Sequence, residues 1–176
     1  MLISLNWIKD FVDLPENENI HDLANKFTMT TAEVEEVKKV NAHLDIIKVV
    51  EITEIEKHPE ADKLNLVTFN VGDTTARVVC GAPNVKAGLK VPYAAIGTVL
   101  PGGFKLEPKK IRGVMSEGML CSETELGLGD GSAGLMELDA TAIIGQSLKE
   151  HLNQTSDTLI DVDNKSLTHR PDLWGY

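Results

Sequence analysis

The start of the chain carries apolar residues at helical spacing. These positions predict a first helix that Ser4 caps and Pro15 ends. The face that this helix would bury holds Trp7, Ile8, Phe11 and Val12. A second helix over residues 20–27 follows an Asn19 cap, and residues 33–40 alternate as a short strand does. Two short helices and one strand bury too little surface to fold alone, so this piece needs a partner from elsewhere in the chain.

The pattern changes to short apolar and β-branched runs, separated by Gly, Pro and Asp, at about residue 46. Five such runs predict strands at residues 46–57, 64–71, 76–80, 91–96 and 107–114. The apolar phase of the first run slips between Ile52 and Ile55, which indicates a bulge or a strongly coiled strand. Five strands with no long helix among them favour a small closed or nearly closed barrel. Residues 147–152 then predict a short helix, and residues 158–162 a last strand.

Composition and charge limit the classes of function. The 176 residues are 42% hydrophobic and 25% charged, as in ordinary globular proteins. The net charge is −10, but residues 43–121 hold ten bases and nine acids, while the rest of the chain holds seven bases and eighteen acids. A near-neutral middle can carry a basic face, although the whole chain would not attract RNA over a distance. Any RNA contact is therefore expected to be weak or auxiliary.

Catalytic and metal-binding patterns are not evident. Cys80 and Cys121 form no CxxC pair, and their use fits reduced thiols in a cytoplasmic protein. Gly129, Gly131 and Gly134 match GxGxxG, but strand-like residues follow where a nucleotide fold requires a helix, so a flexible glycine loop is the better interpretation. His58, beside Pro59, is expected to lie in a turn with its ring on the surface. These features favour a binding or assembly module.

The stretch over residues 109–127 is the strongest candidate for binding. It opens with a basic strand, Lys109-Lys110-Ile111-Arg112, and continues through a glycine-containing turn with apolar residues on either side. Basic side chains beside a shaped loop are suited to holding a phosphate backbone. The alternative is a barrel turn whose basic residues only solvate an edge strand.

Several segments together resemble the tRNA-binding OB domain found in aminoacyl-tRNA synthetases and in freestanding tRNA-binding proteins. They are Lys57-His58-Pro59, Ala61-Asp62-Lys63-Leu64, Val79-Cys80-Gly81-Ala82-Pro83-Asn84-Val85, Lys110-Ile111-Arg112-Gly113-Val114, Ser116-Glu117-Gly118-Met119-Leu120-Cys121-Ser122 and Glu125-Leu126-Gly127. The flanking segments are similar to the N-terminal region of the phenylalanyl-tRNA synthetase β subunit. They are Ile3-Ser4-Leu5-Asn6-Trp7-Ile8-Lys9, residues 33–40 and Arg170-Pro171-Asp172, with His169 where that family usually has Asn.

The resemblance implies a mainly β fold with an α+β flank. A five-stranded OB-type barrel over residues 42–152 would be inserted into a small discontinuous α+β domain made of residues 1–41 and 153–176. The Trp174-Gly175-Tyr176 ending suggests a cut within a longer protein. That protein would be a heterotetramer of two α and two β subunits, which attaches phenylalanine to its tRNA using ATP and magnesium. This region would hold no cofactor and no catalytic residue, and would contact neither DNA nor a membrane.

The candidate tRNA-binding residues are cations and small hydrogen-bond donors. They are Lys63, Asn84, Lys90, Lys110, Arg112 and Ser116. The alternative function is a protein–protein module that docks the α subunit or later β domains, which the acidic flanks favour. A freestanding tRNA-binding chaperone is the third possibility, and it requires that the complete protein end at Tyr176.

Overall fold

The computed structural model describes residues 1–15, 18–131 and 134–163. Contacts within the chain divide it into two compact units. The described residues of 1–42 and 155–163 form the first unit, and those of 43–154 form the second. The Arg170-Pro171-Asp172 motif, His169 and the Trp174-Gly175-Tyr176 ending lie outside the described residues.

The helices and strands follow in chain order. They are β1 (Leu2–Ser4), α1 (Leu5–Ile8), α2 (Ile20–Thr30), β2 (Glu33–Val40), a 3₁₀ turn (Ala42–Asp45), β3 (Lys48–His58), β4 (Ala61–Asn70), β5 (Thr75–Cys80), β6 (Lys90–Ala95), β7 (Lys109–Ile111), β8 (Val114–Ser116), β9 (Gly118–Leu120), α3 (Leu148–His151) and β10 (Asp157–Asp163).

The first unit contains a three-stranded antiparallel sheet in the order β1-β10-β2. The helices α1 and α2 lie between β1 and β2 in the chain. Its central strand, β10, comes from a part of the chain more than 110 residues after β2. Ile160 and Val162 of β10 are buried with Leu5 and Ala32. The predicted N-caps are confirmed, because the Ser4 hydroxyl accepts from the Trp7 N–H and the Asn19 side chain accepts from the His21 N–H.

The predicted first helix is wrong in length and in its buried face. α1 is a single turn, and after Ile8 the chain continues in hydrogen-bonded turns. Leu5 is the residue that α1 buries, whereas Trp7 and Phe11 remain 67% and 76% exposed. A helix of one turn is too short to present a continuous apolar face, so the helical spacing of the apolar residues does not become a packed surface. The rings of Trp7 and Phe11 pack against each other edge to face, with centroids 6.1 Å apart.

The second unit is built on a five-stranded antiparallel sheet in the order β5-β4-β3-β6-β9. The register of β3 against β4 shifts between Ile52 and Glu54, which confirms the bulge predicted from the apolar phase. Phe69 and Tyr93 pack in the core on one side, with ring centroids 4.7 Å apart. Leu44, Ile47 and the residues packed with them form a second cluster.

The predicted fifth strand over residues 107–114 is wrong. Its residues form β7, which turns back at Arg112 and Gly113 to pair with β8, and the fifth strand of the sheet is β9. The turn forms because Arg112 and Gly113 both adopt positive φ, 42° and 89°.

The strand pairing recorded for the described residues leaves β5 and β9 as the edges of the sheet, so a closed barrel is not observed. The segment before β9 still reaches β5, because the Glu117 N–H donates to the Arg77 carbonyl oxygen at 3.1 Å.

Candidate nucleic-acid interface

The hairpin of β7 and β8 carries most of the basic stretch singled out from the sequence. Its strands pair Lys109 with Ser116, Lys110 with Met115 and Ile111 with Val114. Side chains alternate between the two faces of a strand. Lys109 and Ile111 therefore share one face of the hairpin, and Lys110 lies on the opposite face.

His58 holds this hairpin against the turn between β3 and β4. Its ring is 4% exposed, Nδ1 accepts from the Glu60 N–H at 3.1 Å, and Nε2 lies 3.2 Å from the Ile111 carbonyl oxygen. An amide always donates, so Nδ1 is the acceptor and Nε2 carries the proton that is donated to Ile111. The expectation of a surface ring at His58 is wrong, because both ring nitrogens have backbone partners that a buried imidazole can satisfy.

Ser116 supports the hairpin from inside. Its hydroxyl is buried, accepts from the Val79 N–H at 3.2 Å and donates to the Gly118 carbonyl oxygen at 3.0 Å. The side chain that the sequence assigns to RNA therefore joins β8 to β5 and to β9.

Asn84 is also engaged by the protein. Its Oδ1 accepts from the Leu135 N–H at 2.8 Å, and its Nδ2 donates to the Leu135 carbonyl oxygen and to a Glu137 carboxylate oxygen, both at 2.9 Å. Gly134 packs directly against this amide. The exposed glycines at 129 and 131 lie beside the Glu123 side chain.

Lys90 binds the chain a few residues after the segment that Asn84 contacts. Its ammonium group donates to the carbonyl oxygens of Ala140 and Ala142, each at 2.7 Å. Lys90 thus fastens residues 140 and 142 to β6, while Asn84, in the loop after β5, fastens residues 135 and 137.

Lys63, Lys110 and Arg112 are the sequence candidates with exposed charge. An Arg112 guanidinium nitrogen lies 3.5 Å from the Glu60 carbonyl oxygen, which places the hairpin tip at the turn between β3 and β4. Lys63 follows that turn in β4. In the described part of the chain no ion pair involves these three side chains. The six candidates therefore divide into three available cations at the hairpin end and three residues with internal partners.

A groove of about 510 Å³ runs along the hairpin face that carries Lys109 and Ile111, opposite the face of Lys110. Phe104, Lys105 and Lys109 line it, with Met119 and Gly118 of β9. The sequence interpretation missed Phe104 and Lys105, because they follow a Pro-Gly-Gly run that resembles an ordinary turn. The alternation of Lys109 and Ile111 along β7 is the signal that could have found this face.

Burial makes the thiols of Cys80 and Cys121 weaker acids than an exposed cysteine. Burial raises the pKa of Cys121 to about 12 and also raises the pKa of Cys80. Both thiols are therefore protonated near neutral pH, the form that is the weaker nucleophile. The described residues contain no group of three or more His, Cys, Asp and Glu side chains placed to hold a metal ion. Within the same residues, no helix is long and apolar enough to cross a membrane.

Comparison with known proteins adds sequence relationships to this geometry. A protein family described as "Putative tRNA binding domain" matches residues 47–147. The phenylalanine–tRNA ligase beta subunit of Desulfotalea psychrophila is 44% identical over 173 residues, which cover 98% of this chain and 21% of that protein. The beta subunit of Fusobacterium nucleatum is 43% identical over 173 residues, with the same coverage.

Among solved structures, the MetRS related protein from Pyrococcus horikoshii is 26% identical. The match covers 57% of this chain and 86% of that chain, with a TM-score of 0.43. The chain spans about one fifth of the length of the curated relatives it matches.

Proposed function

The chain belongs to the tRNA-binding domain family through residues 47–147, and on that premise we propose that its second unit binds tRNA within the β subunit of a phenylalanine–tRNA ligase. The observation that carries the proposal is the anchored basic hairpin. Lys110 and Arg112 are exposed beside the turn that leads to Lys63, and no described acid forms an ion pair with any of them. Cations held on a rigid turn can contact successive phosphates of an RNA backbone.

Asn84, Lys90 and Ser116 have structural roles in our proposal. Their polar groups bond to residues 134–142, to β5 and to β9. They fix the loops around the sheet, and the RNA contact falls to Lys63, Lys110 and Arg112.

The proposed architecture is an OB-type barrel over residues 42–152, inserted into an α+β domain made of residues 1–41 and 153–176. The antiparallel sheet of the second unit and the approach of Glu117 to Arg77 support a curved, nearly closed sheet. β10 of the first unit pairs with both β1 and β2, which supports a discontinuous domain.

The complete protein, in this proposal, acts in the cytoplasm with an α subunit in an assembly of two α and two β chains. It would attach phenylalanine to tRNA using ATP and Mg²⁺, and those ligands would bind outside the present chain. The present chain contributes tRNA affinity and assembly. Its net charge of −10 makes that affinity auxiliary, because the overall field repels phosphate.

Titration of the 176-residue chain with phenylalanine tRNA at two salt concentrations tests the proposal. We expect binding that weakens strongly with salt, because phosphate contacts release counterions. Lys110→Glu should weaken binding, whereas Lys86→Glu is the matched control, since Lys86 is an exposed lysine in the loop before β6. Equal affinity of these two variants for tRNA would contradict a role for the hairpin.

A second function, docking of the α subunit or of later β domains, is favoured by the exposed Trp7–Phe11 pair of the first unit. Exposed aromatic pairs in an acidic surrounding suit protein contacts better than RNA. If this function dominates, Trp7→Ala with Phe11→Ala reduces co-purification with the α subunit. Lys110→Glu with Arg112→Glu would then leave co-purification unchanged.

A further inference from the structure

The loop that carries Phe104 is firmly folded. The Leu100 N–H donates to the Phe104 carbonyl oxygen at 2.8 Å, and the Leu106 N–H donates to the Thr98 carbonyl oxygen at 2.8 Å. Gly102 and Gly103 take the positive φ angles that the turn between these bonds requires. The Phe104 side chain nevertheless stays 61% exposed. The main chain around Phe104 is therefore fixed, and its exposed side chain lines the groove.

The groove beside Phe104 combines an apolar floor with uncompensated positive charge. Met119 and Val79 supply part of the apolar lining of the groove. Its charged lining residues are Lys105, Lys109 and a single acid, Glu107. Among the described residues, neither lysine has an ion-pair partner. In a chain of net charge −10, a groove with excess lysine favours an anionic occupant.

A nucleotide matches both properties of the groove. A base has a flat π face that stacks on an aromatic ring, and its phosphates pair with lysines nearby. The groove volume of about 510 Å³ falls within the range of small-ligand sites. A base inside a duplex already has both faces stacked, so only an unpaired base can use Phe104.

We propose that this groove binds an unpaired nucleotide of the tRNA, with the base on Phe104 and the adjoining phosphates at Lys105 and Lys109. The inference rests on the proposed tRNA-binding function and adds a base-stacking site to it. The site uses the Lys109 face of the hairpin, whereas Lys110 holds phosphate on the opposite face.

Binding of two RNA probes to the 176-residue chain tests the groove. The probes are phenylalanine tRNA and an unstructured oligouridylate of roughly 10 nucleotides, a length within the range that one such domain covers. We expect Phe104→Ala to weaken both complexes about tenfold, because stacking on an aromatic side chain is lost. Phe104→Trp keeps a stacking face and should bind both probes nearly as well as the unchanged chain.

Val99→Ala is the matched control. Val99 is an exposed apolar residue of the same loop, its backbone bridges that of Lys105, and its side chain does not line the groove. We expect unchanged affinity for both probes. Thermal unfolding of each variant shows that the affinities compare folded proteins.

Three results separate the possible failures. If Phe104→Ala binds both probes normally while Lys110→Glu weakens tRNA binding, the groove assignment is overturned and the proposed tRNA function stands. If Phe104→Ala instead reduces co-purification with the α subunit and leaves oligouridylate binding intact, the groove holds protein and the assignment is also overturned. If the unchanged chain binds oligouridylate through Phe104 but shows no salt-dependent tRNA binding, the groove stacks a base, but its assignment to tRNA and the proposed function are both overturned.

Discussion

His58 and Ile111 are joined by a hydrogen bond of 3.2 Å between the imidazole Nε2 and a main-chain carbonyl oxygen. The two residues are 53 positions apart, and the bond ties the turn after β3 to the basic hairpin. The same ring accepts from the Glu60 N–H, so one buried side chain sets the position of the hairpin relative to the turn. The proposed binding surface is therefore positioned by a buried residue that carries none of its exposed charge.

Replacement of His58 by Ala should weaken tRNA binding without removing any exposed charge. It removes both ring bonds and leaves the Ile111 carbonyl oxygen without its partner, which costs about 1–3 kcal/mol of stability. The measurements are urea unfolding and tRNA titration on the same preparation. Lost stability with unchanged tRNA affinity would show that His58 does not position the hairpin for RNA.

Asn84→Ala should lower stability and leave tRNA affinity unchanged. Both main-chain groups of Leu135 lose their bonds to the amide, and the expected cost is about 1–3 kcal/mol. Denaturant unfolding gives the stability, and tRNA titration well below the unfolding midpoint gives the affinity. A loss of affinity at unchanged stability would mean that Asn84 contacts RNA directly, as the sequence alone predicts.

Gly118→Ala should be among the most destabilising single substitutions in the second unit. Gly118 has φ of 135°, and an added Cβ would lie 2.5 Å from the Ala94 carbonyl oxygen and 2.6 Å from the Tyr93 ring. We expect a loss above about 3 kcal/mol in the free energy of unfolding, measured with urea. Gly88→Ala is the control, because Gly88 has φ of 81° in open space and carries only the backbone strain of about 1 kcal/mol. Equal losses would show that the packing around Gly118 is not tight.

Stability should fall as the solution becomes alkaline, and Cys121 is the main reason. Its pKa is about 12 in the folded chain against an ordinary 9.0, because burial disfavours the thiolate. The unfolded thiol ionises above its ordinary pKa while the folded one stays neutral. The stabilising effect is therefore complete below pH 9 and declines toward pH 12, by at most about 1.4 kcal/mol per pH unit.

Urea unfolding of the chain and of Cys121→Ala at about pH 8 and about pH 10 tests this dependence. The variant should lose less stability between the two conditions than the unchanged chain. Cys80, whose pKa is also raised, keeps part of the slope in both proteins. Equal pH slopes in the two proteins would exclude a buried, neutral Cys121.

The sequence predicted those features that depend on local chemistry. The caps at Ser4 and Asn19 and the bulge between Ile52 and Glu54 follow from side-chain type and apolar phase, and the structure confirms them. The prediction of the fifth strand was wrong because the chain turns back at Arg112. Arginine rarely adopts positive φ, so this residue gives no turn signal by itself. The spacing of apolar residues therefore does not reveal where the chain turns back.

The candidate site shows the same division. A lysine or serine in a basic motif looks available for RNA, but the partners of Ser116 and Lys90 lie on segments that pack against them only in the fold. Burial of His58 likewise depends on the Ile111 carbonyl oxygen, which is remote in sequence. Charge type was therefore predictable, and the identity of the available cations was not.

The salt dependence of tRNA affinity tests the central claim most directly, that the hairpin at Lys110 and Arg112 holds RNA phosphates. We expect the logarithm of the association constant to fall linearly with the logarithm of salt concentration for the unchanged chain. Lys110→Glu with Arg112→Glu should make that slope shallower by about one unit for each phosphate that the variant no longer holds. An identical slope and affinity in the double variant, or tRNA binding that does not respond to salt, would contradict the account.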